Sequence, residues 1–123
     1  MTIRHGYAAV WQGAEHEASP APDGTVRLYA SQATPGFDEL RPGRWLRVAA
    51  SEEIDQLRYV RTTGVWRGVA CLVIGEHGDW LRVEYLGDDP AVAARLGLEQ
   101  FDVAVYQGWA PRGEVADLAE QAI

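Results

Sequence analysis

The sequence predicts a mainly β protein assembled from two tandem repeats, residues 1–61 and 62–123, packed together. Three observations lead to that expectation. The chain repeats itself: Val10-Trp11-Gln12-Gly13 reads like Val65-Trp66-Arg67-Gly68, fifty-five positions later. Apolar residues alternate with polar ones over short runs, the period of half-buried strands. Turn-forming clusters such as Pro22-Asp23-Gly24-Thr25 separate those runs. Self-similarity at a fixed spacing is read before local structure because it decides the whole architecture.

The repeat continues in register beyond its first match. At the same offset Val26-Arg27-Leu28 falls on Leu81-Arg82-Val83, and Asp23-Gly24 on Gly78-Asp79. The offset then becomes sixty-one. Gly36-Phe37-Asp38-Glu39-Leu40 lies against Gly97-Leu98-Glu99-Gln100-Phe101, Trp45 against Tyr106, and Glu53-Ile54-Asp55-Gln56-Leu57 against Glu114-Val115-Ala116-Asp117-Leu118. A six-residue insertion between Asp88 and Arg95 accounts for the difference. Colinear matches with one insertion point to duplication.

In chain order, Tyr7 to Trp11 opens a strand, and Gln12-Gly13 supplies the turn. Val26, Leu28 and Ala30 alternate with Arg27 and Tyr29 in a half-buried strand. Trp45, Arg47 and Ala49 alternate with Leu46 and Val48 in the next. Ser51 reads as an N-cap, with Glu52, Glu53 and Asp55 in the first turn opposite the helix dipole, which predicts a short helix over about 52–57. Tyr59 to Thr63 returns to β-forming residues. In the second repeat Val69 to Ile74 is a buried strand, 75–79 a hairpin loop, and Trp80 to Tyr85 its partner. Asp88 or Asp89 caps a helix that Pro90 starts and Gly97 ends, predicted over 90–96. Ala110-Pro111 ends the last strand, and a closing helix is predicted over 112–120.

Short strands, tight hairpins and one brief helix before the last strand form the ground plan of an SH3-like barrel. Here it occurs twice, with the stretch Tyr59–Val69 serving as the last strand of one copy and the first of the next. A single β-sandwich or split barrel is the alternative. A lone repeat of this length is marginal, so the two halves are expected to share apolar surface.

Composition removes whole classes of function. The chain has 123 residues and a formal charge of −7, and all of its 11 cations are arginine. Without lysine there is no P-loop and no Schiff-base chemistry. Without asparagine there is no glycosylation sequon and no Asn-Gly hairpin turn. One cysteine, Cys71, makes neither an intrachain disulfide nor a multi-cysteine zinc site. No apolar run approaches the roughly 20 residues that span a bilayer, and the start, Met1-Thr2-Ile3-Arg4-His5, is too polar for a secretory signal. The expectation is therefore a cytoplasmic protein with no cofactor, no metal, no membrane segment and no nucleic-acid partner, since a net negative charge repels phosphate backbones. The charge is uneven: −1 over residues 1–61 and −6 over 62–123.

No catalytic constellation emerges. His5, His16 and His77 lack metal-ligand spacing. Cys71 lies within Val69-Ala70-Cys71-Leu72-Val73-Ile74, an apolar setting that disfavours a thiolate. Ser19, Ser31 and Ser51 are the only serines, none in a nucleophile elbow. The candidates are instead binding residues. Most aromatics belong to the two cores, but Trp80 and Trp109 have no aromatic counterpart in the first repeat. With Trp45 they are the candidates for an aromatic groove. Asp88 and Asp89 stand at the mouth of the inserted element, with Glu84 close by in sequence, and a loop insertion is where function is commonly carried.

The order Trp-x-Gly, Trp-Leu-Arg-Val, then Glu-Ile-Asp-Gln-Leu or Glu-Val-Ala-Asp-Leu resembles small bacterial immunity proteins of GC-rich, actinobacterial type that accompany polymorphic toxins. The resemblance implies a non-catalytic acidic inhibitor that meets a toxin domain through Asp88, Asp89, Glu84 and Trp80, where charge complementarity would guide the encounter. The other expectation is an SH3-like module that holds a protein segment in its aromatic groove.

Overall fold

The computed structural model describes residues 3–123; Met1 and Thr2, which open the N-terminal stretch judged above, lie outside the described residues. Eleven antiparallel strands dominate. They are β1 (Gly6–Trp11), β2 (Ala14–Pro20), β3 (Thr25–Ala30), β4 (Asp38–Arg41), β5 (Arg44–Ala50), β6 (Gln56–Trp66), β7 (Val69–His77), β8 (Trp80–Tyr85), β9 (Glu99–Asp102), β10 (Val105–Pro111) and β11 (Val115–Ala122). One α-helix, α1 (Pro90–Arg95), and two 3-10 turns, Ser51–Glu53 and Arg112–Glu114, complete the fold. No helix among the described residues is long and apolar enough to cross a membrane. The hydrogen-bonded order is β4-β5-β3-β2-β1-β6-β7-β8-β10-β9, with β11 also paired to β6.

The chain divides into two compact units: Gly6–Tyr59, and Val60–Ile123 together with the N-terminal residues up to His5. Strand β6 passes from one to the other.

In the N-terminal unit a β1-β2-β3 meander is followed by β5 on β3 and β4 on β5. Its core gathers Trp11, Val26, Leu28, Phe37 and Ala49, with Trp45 and Ile54 half-buried against them. The inward residues of β3, Val26 and Leu28, alternate with exposed Arg27, as the period of two requires.

In the C-terminal unit β6, β7 and β8 form the meander, β10 lies on β8, and β9 on β10. Its core is Trp66, Cys71, Val73, Leu81, Val83, Ala110 and Val115, closed by Leu96 from the end of α1. Helix α1 begins as the sequence predicts: Asp89 accepts the Ala91 N–H at its N-cap and Pro90 occupies the first turn.

The registers of the two units correspond over most of their ladders, the exception being a bulge between Val73 and Gly75 that β2 lacks. Each pair of the β1–β2 ladder, from Tyr7↔Ala18 to Trp11↔Ala14, recurs fifty-five positions on in β6–β7, from Thr62↔Val73 to Trp66↔Val69. Thr25↔Ala50 and Arg27↔Val48 recur as Trp80↔Pro111 and Arg82↔Trp109. The tight turns also agree. Gln12-Gly13 has φ of 49° and 78°, and Arg67-Gly68 has 50° and 77°. Positive φ at both positions is the requirement of a two-residue hairpin, and Gln and Arg here take the place that Asn fills in chains that contain it.

Three expectations change. The helix predicted over 112–120 is instead the Arg112–Glu114 turn followed by strand β11. Ala116, Leu118, Ala119 and Glu120 are good helix formers, but Val60 to Trp66 offers an edge for pairing and Val115 a core side chain, and these tertiary gains exceed propensity. The helix predicted over 52–57 stops at Glu53: Ile54 is extended and packs inward, and the Asp55 N–H donates to the Val10 carbonyl. Ser51 is no cap. The carboxylate of Glu53 reaches back to the Ala50 N–H at 2.8 Å instead. The hairpin loop predicted over 75–79 is also shorter, because β7 continues to His77.

Gly64 occupies the register position that Ala9 holds in the other unit, and the difference is steric. A Cβ at Gly64 would stand 2.7 Å from Val115 Cγ1 and 3.3 Å from the Ala116 carbonyl, closer than packed atoms tolerate. Gly64→Ala is therefore expected to destabilise by about 1–3 kcal/mol through overpacking. Gly113→Ala, which meets open space, should leave the urea midpoint unchanged or slightly raised; equal midpoints for the two variants would refute the packing of β11 on β6.

Candidate functional site

Most large side chains of the C-terminal unit point inward. One strand face does not. On β8 the alternation that buries Leu81 and Val83 turns Trp80, Arg82 and Glu84 outward, and on β10 it turns Gln107, Trp109 and Pro111 to the same side. Residues directly opposite across an antiparallel pair share a face, so the ladder sets Trp80 across from Pro111, Arg82 from Trp109 and Glu84 from Gln107. Strand β9 continues this face with Glu99, opposite Gln107, and Phe101.

Three large rings consequently meet solvent. Trp80 and Trp109 are each 48% exposed and Phe101 56%, well beyond what a core aromatic shows. The Arg82 guanidinium sits between two of them, 5.1 Å from the Phe101 ring centre and 5.3 Å from that of Trp109. Cation–π attraction on both sides holds the long arginine stem along the strand pair. Glu84 accepts a 2.8 Å hydrogen bond from Gln107. At the far end the turn before Trp80 is clamped: Arg112 pairs with Glu76 and also donates to the Gly78 carbonyl, while the Arg112 N–H donates to Asp79 at 2.7 Å. The Arg112 hydrogen bond holds the Glu76 carboxyl below its ordinary range.

The corresponding face of the N-terminal unit is different in kind. Leu40 and Val48 stand where Phe101 and Trp109 stand, and with Gly36, Asp38, Leu46 and Arg47 they line a shallow groove of about 300 Å³. Two arginines of β5 are engaged: Arg44 stacks on Tyr29 and pairs with Glu17, while Arg47 covers Trp11 and pairs with Glu53. The bond to the Ala50 backbone is the main reason that the Glu53 carboxyl is held below its usual range.

Of the six residues singled out from sequence, the structure brings Trp80, Glu84 and Trp109 onto one face. Asp88 and Asp89 lie exposed just beyond the end of β8, and the Asp89 carboxylate is committed to capping α1. Trp45 belongs to the other unit, half-buried against its core. Sequence reasoning missed Arg82 and Phe101. The signal for Arg82 was its place between Leu81 and Val83; Phe101 had been matched only as the counterpart of Leu40.

Among the described residues no group of three His, Cys, Asp or Glu side chains converges as a metal site. Cys71 is fully buried in the core, and burial pushes its thiol up to about 11.

The comparison with known families covers nearly all of this. Residues 3–123 match the model of a family described as uncharacterised conserved protein UCP033725. The chain belongs to that family. No curated protein and no solved structure matches it.

The buried thiol gives a direct check on the C-terminal core. Cys71 should resist a disulfide-exchange reagent at pH 8 in native buffer and react completely in denaturing urea, since the thiolate is the attacking species. Rapid reaction in native buffer would contradict its burial against Leu81 and Val83.

Proposed function

We propose that this chain is a non-catalytic binding protein that holds a protein partner on the β8–β10–β9 face of its C-terminal unit. The observation that carries the reading is the set of exposed rings at Trp80, Trp109 and Phe101, with Arg82 stacked between the last two. Exposed aromatic residues and arginine are the residue types that dominate interface energetics, and a contiguous apolar patch on a small protein marks an interaction surface. The strand pair sets the direction in which each ring projects, and Arg82 is held between Trp109 and Phe101, which lowers the ordering cost of docking there.

The frame in this reading is a duplicated SH3-like barrel. The support is the shared strand order, the matching registers and the single-turn 3-10 element before the closing strand of each copy, Ser51–Glu53 before β6 and Arg112–Glu114 before β11. On the outer face the N-terminal copy has Leu40 and Val48 where the C-terminal copy has Phe101 and Trp109, and only the C-terminal copy carries the α1 insertion. A cytoplasmic immunity protein is the narrower form of the proposal. It gains from Glu84 lying on the same face as Trp80 and loses from Asp89, whose carboxylate is spent on the helix cap.

Affinity capture from the native host tests the reading, with wild type and the double variant Trp80→Ala/Trp109→Ala compared at equal concentration. The expected result is a specific partner whose affinity falls at least thirtyfold in the variant, the loss of about 2 kcal/mol typical of an interface hot spot, with far-UV circular dichroism unchanged. A partner bound equally by both proteins would overturn the assignment of the face. If the partner is the product of an adjacent toxin gene, the immunity form is supported.

A further inference from the structure

We infer that the segment docking on this face is basic: a stretch of partner chain rich in arginine or lysine, its aliphatic stems lying on Trp80, Trp109 and Phe101. The inference rests on the docking face proposed above and names the chemistry of what it takes.

Charge complementarity carries it. Around the rings stand Asp79 at the turn before Trp80, Glu84 on β8, and Glu99 and Asp102 at the two ends of β9. Among the described residues none of these four has an arginine partner, whereas Glu76, Glu114 and Glu120 of the same unit do. The face offers one cation in return, Arg82, and both of its neighbouring rings already cover it. The local field is therefore negative over an aromatic floor, the combination that attracts a cationic side chain both by Coulomb attraction and by ring quadrupoles. Among the described residues no cation stacks on Trp80, whose ring is 48% exposed and so open to receive one.

The face at the same registers in the N-terminal unit lacks the combination. Its ring, Tyr29, is already covered by Arg44, which pairs with Glu17, and Leu40 and Val48, which stand where Phe101 and Trp109 stand, carry no ring quadrupole. Arg82 also sets the rival possibility. A guanidinium with no carboxylate partner is a bidentate carboxylate receptor, and an acidic segment would use it. Two features weigh against that: Glu84 lies two residues along the same strand face, and Glu99 lies beyond it opposite Gln107.

Titration of the intact protein with a short arginine–alanine peptide, and with its glutamine and glutamate counterparts, decides between them. Tryptophan fluorescence and amide NMR shifts report binding at about 0.15 M salt. The arginine peptide should bind saturably at least tenfold tighter than the glutamine peptide, with shifts confined to β8, β9 and β10. Trp80→Ala and Glu84→Gln/Glu99→Gln should each weaken it at least fivefold with an otherwise unchanged amide spectrum. Binding of the glutamate peptide instead, abolished by Arg82→Gln, would overturn the inference, as would arginine-peptide binding that ignores these substitutions and so reflects only the overall charge. Repeating the host capture with Glu84→Gln/Glu99→Gln separates the two proposals. Capture that depends on the tryptophans but not on these acids leaves the docking face standing and removes the basic segment.

Discussion

A buried indole at the end of the first strand organises each unit. Trp11 closes β1 and Trp66 closes β6, with 5% and 3% of their surface left exposed. Such a ring removes roughly 150–250 Å² from water, a large share of the core available to a unit of this size. Its N–H must then find an acceptor. Trp66 donates to Glu114 at 3.2 Å, and the Trp11 indole reaches Glu53. Both acids sit on the 3-10 turn that precedes the closing strand, so the ring that fills the core also fixes where the chain reverses. The two-residue hairpin immediately after each tryptophan leaves the register no freedom to slip.

That shared constraint explains why the two units agree so closely where their sequences do not. Val26 and Leu28 exchange sizes with Leu81 and Val83, and Ala18 and His16 give way to Val73 and Cys71, while the β1–β2 and β6–β7 ladders stay in register. Compensating size changes of this kind keep a close-packed core filled. The N-terminal unit closes its core with Phe37 against Trp11 and His16, and the C-terminal unit buries Ala93 of α1 and Leu96 just past its end. The insertion thus has a structural duty first.

The period-two pattern, the turns and the offset between copies made β1, β3, β5, β8 and helix α1 legible in the sequence, because each depends on local chemistry that residues advertise. Strand β11 was not legible, since its residues favour a helix and only the waiting edge of β6 makes it a strand. The site was legible in part. Trp80 and Trp109 stood out for having no aromatic equivalent in the other copy. That Arg82 lies between Trp109 and Phe101 follows from the β8–β10–β9 register, which no local pattern in the sequence encodes. The acids at 88 and 89 drew attention as an insertion, yet one of them proves to serve its own helix.

The two units share a strand order, and one of the places where they differ is an outer face. In the N-terminal unit that face carries Leu40 and Val48, and its ring, Tyr29, is covered by Arg44, which pairs with Glu17. In the C-terminal unit it carries exposed rings, one stacked arginine and carboxylates that have no arginine partner among the described residues. The central claim is that the five tryptophans therefore divide by duty: Trp11, Trp45 and Trp66 hold cores, while Trp80 and Trp109 face outward. Quenching of tryptophan fluorescence by a neutral quencher tests that division without knowledge of any partner. The account predicts a two-component response whose accessible component disappears in Trp80→Phe/Trp109→Phe, leaving a shielded remainder. Uniform quenching of all five indoles, or an accessible component that survives the double substitution, would contradict it.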